Sequence, residues 1–210
     1  MQPVVHHVEM CCRDGRSTLA SLKNYGFRLH AERVTHFCKQ WVFKVGDVFF
    51  VITERQENYA KHSIWRENTV RAEPFTVMCC EDKSTHEVDT VFNVALSVKN
   101  VKHVTRRVRS LGASVIQPPT SVKDENGYVT YSIIRSCCGN VVHTLINKDD
   151  YRGHFLPGFE TVHTIIEDSC VTTGVTHIDH VTLACFPGDS SSVISWYESC
   201  FGMQRFSISR

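Results

Sequence analysis

The sequence predicts an α+β fold in which a strand-helix-strand-strand-strand unit recurs, and three observations predict it. Short runs alternate apolar and polar residues with period two, which places successive side chains on opposite faces of a sheet. Three helical patterns each stop at a glycine, the residue that most easily takes the left-handed conformation past a helix end. Those glycines are Gly26, Gly112 and Gly202, spaced by 86 and then 90 residues, a self-similarity too long to arise within any one element.

In order, Val4 to Cys12 reads as a strand and Arg16 to Tyr25 as a helix, with Leu19, Leu22 and Tyr25 at helical spacing before Gly26. Phe27 to Val34, Trp41 to Val45 and Val48 to Thr53 follow as strands, the last two joined by the hairpin signal Gly46-Asp47. Glu54 to Glu87 is polar and irregular apart from the apolar run Phe75 to Cys80, and reads as a connection. The order then returns: strand Val91 to Val98, helix Val101 to Leu111, strand Ser114 to Gln117, a turn at Pro118-Pro119, strand Tyr128 to Ile134, a turn at Gly139-Asn140 and strand Val141 to Ile146. A third start has a strand from His177 to Ala184 and a helix from Ser190 to Phe201, leaving only Gln204 to Ser209 for a further strand. A half-built unit buries neither its helix face nor its sheet edge, so the expectation is a truncated product or fragment of a longer protein. The division expected is a paired-unit domain over residues 1–150 (units 1–53 and 88–147), a linker over 151–175 and an incomplete third unit over 176–210.

Composition narrows the function classes. The 210 residues are 42% hydrophobic and 21% charged, with Lys+Arg 23 against Asp+Glu 22, so there is no clustered positive field to hold nucleic acid or an anionic membrane. The basic run Lys102 to Arg109 reads as the solvated face of a helix. No apolar run approaches the roughly 18 residues of a membrane span. The ten cysteines include the adjacent pairs Cys11-Cys12, Cys79-Cys80 and Cys137-Cys138. Neighbouring thiolates diverge and chelate zinc poorly. Reduced, partly buried thiols of an intracellular protein are expected.

Candidate chemistry centres on Ile178-Asp179-His180, where an inward imidazole on a strand would suit a catalytic divalent metal. Asp179, on the opposite strand face, suits a salt bridge instead. Val5-His6-His7-Val8 occupies the corresponding place in the first unit, but the second unit offers Asn93 or Val94 there, so His7 is not expected to bind metal. The other histidines form no pair at the helical i, i+4 metal spacing, and Cys185 and Cys200 lack any sequence sign of a base partner.

Paired units of this order resemble the vicinal oxygen chelate, or glyoxalase-like, architecture, which names no activity on its own. The linker Tyr151-Arg152-Gly153-His154-Phe155-Leu156-Pro157-Gly158-Phe159 is similar to the segment joining the halves of 4-hydroxyphenylpyruvate dioxygenases, and Ile178-Asp179-His180 follows at the family's spacing of about twenty residues. By that resemblance, Fe(II) is held by two histidines and a carboxylate, the first histidine falling on His180. A small aromatic 2-oxo acid of tyrosine metabolism and dioxygen would be the partners, with oxidative decarboxylation giving homogentisate or 4-hydroxymandelate. The family's other two ligands come from a fourth unit that these residues do not contain, so the chain alone is expected to be inactive. The resemblance implies a mitochondrial location, with a cytoplasmic one as the alternative. A catalytically silent binding or scaffold protein, with the paired units forming a homodimer or a partner interface, is the other class that fits.

Overall fold

The computed structural model describes residues 3–55, 74–75, 89–162 and 174–205. The expected run Phe75 to Cys80 apart from Phe75 itself, the Cys79-Cys80 pair and most of the final strand Gln204 to Ser209 lie outside the described residues. In chain order the elements are β1 (Val4–Cys12), α1 (Gly15–Asn24), β2 (Arg28–Val34), β3 (Cys38–Val45), β4 (Val48–Arg55), β5 (Thr90–Ser97), α2 (Val101–Ser110), β6 (Val115–Asp124), β7 (Gly127–Arg135), β8 (Val142–Asn147), β9 (Glu160–Thr161) and α3 (Ser190–Phe201).

The nine strands form one mixed sheet in the order β6-β7-β8-β5-β1-β4-β3-β2-β9. α1 and α2 each carry the chain from an inner strand towards an edge of the sheet, and two hairpins bring it back. β1 therefore pairs in parallel with β4, and β5 with β8. The halves meet where β1 and β5 run antiparallel, with Val8 opposite Val94. Val8 and Val94 are separated by the Gly26-to-Gly112 interval, which makes them counterparts about an approximate two-fold, as it makes His7 and Asn93, while in the ladder Asn93 stands opposite Glu9.

The helices start and stop for local reasons. Asp14 caps α1 by accepting from the Arg16 amide, and Asn100 caps α2 by accepting from His103 at 2.8 Å. Gly26, Gly112 and Gly202 take φ of 82°, 84° and 68° at the three helix ends, which a side chain would resist. On α2, Val101, Thr105 and Val108 are buried, while Lys102, His103, Arg106, Arg107 and Arg109 face solvent.

Ala31, Val42 and Val51 share a buried cluster with Val129, Tyr131 and Ile133 from the opposite half. Strands so far apart in the order touch only because the sheet curls around an inner face. Phe155 and Leu156 plug that face, 3% and 2% exposed. The outer face is covered by α1 over Phe27, Trp41, Phe43 and Ile52, and by α2 with α3 over Val94, Leu96, Ile134 and Leu145.

Three elements depart from expectation. The Pro118-Pro119 pair does not break the chain into a turn: β6 runs through it, on the sheet edge, where its register to β7 slips between Gln117 and Thr120. An edge strand has no ladder bond on its outer side, so two missing amide donors are tolerated there. Glu160 and Thr161 form an unforeseen short strand that pairs with β2 and covers its edge. The expected strand from His177 to Ala184 does not form. Its β-branched composition fits a pleated, half-buried surface, but no neighbouring strand is supplied among the described residues. The segment is attached instead by the Asp47 amide donating to Thr176 O at 3.3 Å and by Ile178 packing beside Phe27 and Trp41. Gly46, at φ 52°, lets the Val175 carbonyl approach to within 2.6 Å of where a Cβ would stand.

Candidate functional site

Alternation along β1 sends His7 and Glu9 to the inner face, where they are 4% and 2% exposed. Glu9 is the centre of a buried polar network. Its Oε1 accepts from Thr53 Oγ1 at 2.6 Å and from Gln40 Nε2 at 2.8 Å, and its Oε2 accepts from Asn93 Nδ2 at 2.9 Å. Arg33 does not reach the carboxylate; its Nε donates to Gln40 Oε1 at 2.8 Å, and Gln40 passes the polarity on. The guanidinium also donates to Pro74 O at 2.6 Å and lies 4.5 Å above the Phe159 ring. Burial raises the Glu9 pKa, and the Thr53 and Asn93 bonds with the Arg33 charge pull it back.

His7 is held away from charge. Its Nδ1 meets His6 Nδ1 at 2.8 Å and its ring packs 5.3 Å from Phe155. Burial, then the His6 charge, holds its pKa well below the ordinary value; burial and Lys148 lower His6 to about 3. Both imidazoles are neutral at physiological pH. Asn93 continues the network by accepting from the Thr144 amide and hydroxyl, each at 3.2 Å.

His7, Glu9, Gln40, Val51, Asn93 and Thr144 line a pocket with about 10 Å³ open to the centre of a water-sized sphere, which is room for one water. Around Glu9 the inner face is a patch of packed polar side chains set in an apolar cluster. No three ligating side chains converge anywhere among the described residues. His7 lies on the inner face of β1, lining the same small space as Glu9 and Asn93.

His180 stands elsewhere. The strand that was to turn it inward is absent, and its side chain is 76% exposed on the extended segment before α3. Asp179, expected on the opposite face, instead meets His180 Nδ1 at 2.8 Å, because without a pleat neighbouring side chains can turn together. The contact holds the Asp179 pKa below the usual carboxylate value. A carboxylate on one ring nitrogen commonly orients a metal-binding imidazole whose other nitrogen faces the ion. The described residues thus present one oriented imidazole.

The network around Glu9 was not legible in the sequence. Its members are scattered over six strands, with Glu9 and Asn93 84 residues apart. The one available signal was polar side chains at inward positions of otherwise apolar strands. Phe155, Leu156 and Phe159 pin the start of the linker against the inner face of the first two units.

No protein-family profile matches the chain. The chain is 31% identical over 185 residues to the human 4-hydroxyphenylpyruvate dioxygenase-like protein and 30% over 188 residues to the rat protein, covering 88% of this chain and 44% of each relative. It is 30% identical over 156 residues to the 4-hydroxyphenylpyruvate dioxygenase of Dictyostelium discoideum, covering 70% of this chain and 42% of that protein. Among solved structures, a triple mutant of 4-hydroxymandelate synthase from Streptomyces coelicolor superposes with a TM-score of 0.71 at 20% identity, over 99% of this chain and 55% of that one. The fold is the vicinal oxygen chelate fold. Within it, the chain spans less than half the length of the curated relatives named above.

Proposed function

We propose that these residues are the N-terminal portion of an Fe(II)-dependent dioxygenase that oxidatively decarboxylates 4-hydroxyphenylpyruvate to homogentisate or 4-hydroxymandelate. The observation that carries this is 30–31% identity over 88% of the chain to dioxygenase-like proteins. Residues 1–150 are the scaffold domain, 151–175 the linker and 176–210 the start of the metal-binding half. His180 is one iron ligand, oriented by Asp179, and the other two come from sequence that the relatives possess and this chain lacks. Iron, when bound, would supply a centre at which a 2-oxo acid and dioxygen meet.

For the 210 residues by themselves, the absence of converging ligands among the described side chains supports a scaffold role. One imidazole holds Fe(II) too weakly to compete with water and cellular chelators. The test is oxygen uptake on adding 4-hydroxyphenylpyruvate under Fe(II) and ascorbate, run on the longest product that contains this sequence and on the 210-residue chain. The longer product should consume oxygen and the chain should not. Failure of the longer product to respond to the 2-oxo acid would remove the proposal.

A further inference from the structure

Two irregularities in the sheet direct histidines at one aromatic ring. The β1 register to β5 slips between Val5 and His7, and the β2 register to β3 slips between Leu29 and Ala31, so His6 and His30 are the extra residues of two bulges. A bulge releases its extra residue from the strict alternation and re-aims it. Both imidazoles lie against Phe49, with ring centroids 6.2 and 5.6 Å away, and Phe155 closes on the same ring at 5.4 Å.

Cations gather around this aromatic pair. Lys44 Nζ lies 5.3 Å from the Phe49 centroid, Lys148 Nζ donates to Phe155 O at 3.2 Å, and the His154 ring is 5.9 Å from that of His30. Among the described residues no carboxylate forms an ion pair with any of these groups. Burial and the Lys44 charge both lower the Lys148 pKa. His30 Nε2 is buried with no hydrogen-bond partner. Two like charges held together and an orphaned ring nitrogen each cost free energy, and a single bound anion relieves all three.

We propose that Lys44, Lys148 and His30 form a binding site for a small organic carboxylate, whose apolar part lies against Phe49 and Phe155. Inorganic anions match the charge but gain nothing from the two rings. The site is built from the first two units and the start of the linker, and does not depend on His180 or on iron.

The test titrates the 210-residue chain with phenylacetate and, separately, with inorganic phosphate, following the histidine ring signals by NMR. Phenylacetate should saturate and shift His30 and His154. Lys44→Gln and Lys148→Gln, from different elements and therefore independent checks, should each weaken it about tenfold, while Lys102→Gln on the exposed face of α2 leaves it unchanged. Phosphate should bind about tenfold more weakly. Absence of a saturable shift, unchanged affinity in both lysine variants, or phosphate binding as tightly as phenylacetate would overturn the assignment.

Discussion

A carboxylate taken out of water keeps its charge only where donors replace the water, and Glu9 has three within 2.9 Å. Glu9→Gln turns one acceptor into a donor, which must face either Asn93 or the Gln40 and Thr53 donors. It should cost about 1–3 kcal/mol in urea unfolding, and Thr53→Val a similar amount. His180 makes the opposite case. It is an exposed side chain bonded to its own neighbour Asp179, so His180→Ala should change the stability of the chain by less than about 0.5 kcal/mol. A larger loss would mean that His180 supports the fold rather than a ligand site.

At the scale of elements, α3 is held by Cys200 and Phe201, 1% and 5% exposed, and by a polar clasp. The Tyr197 hydroxyl lies 2.8 Å from His143 Nε2 and 3.0 Å from Ser136 Oγ, while His143 Nδ1 is 2.9 Å from Val94 O. Phe201→Ala should cost about 3–5 kcal/mol if that side chain is as deeply packed as its burial indicates. Amide exchange in residues 190–201 should accelerate while β5 and β8 remain protected. The helices were legible because their signals are local: apolar residues at helical spacing, and glycines at Gly26, Gly112 and Gly202. The failures came where a neighbour decides. Pro118-Pro119 signals a turn until the strand is known to lie on an edge, and His177 to Ala184 signals a strand that needs a partner to pair with.

Over the whole molecule, buried imidazoles set the response to acid. His6, His7, His30 and His143 all have pKa values lowered, chiefly by burial, from 6.5. Groups depressed in the folded state contribute stability above the unfolded pKa and lose it as pH falls, for His6 down to about 3. Glu9, raised from 4.5, opposes this by losing its contribution as pH rises. With four groups against one, the urea midpoint should fall between pH 7.5 and pH 5.5; an equal or higher midpoint at pH 5.5 would show that these rings are not buried neutral.

The paired-unit fold was readable from a spacing of helix-ending glycines, because topology repeats even where side chains have diverged. His180 could be singled out from its strand pattern, whereas the network around Glu9 forms through contacts that no local pattern encodes. On the proposed function, His180 is one ligand of an iron centre whose other ligands are not among these 210 residues. Anaerobic Fe(II) titration tests it most directly, on the 210-residue chain and on the longest product containing it, each with and without His180→Ala. One iron per longer protein, lost in the variant, together with no stoichiometric iron on the 210-residue chain, is the predicted result. Stoichiometric iron on the 210 residues, or retention of iron by the longer His180→Ala protein, would contradict it.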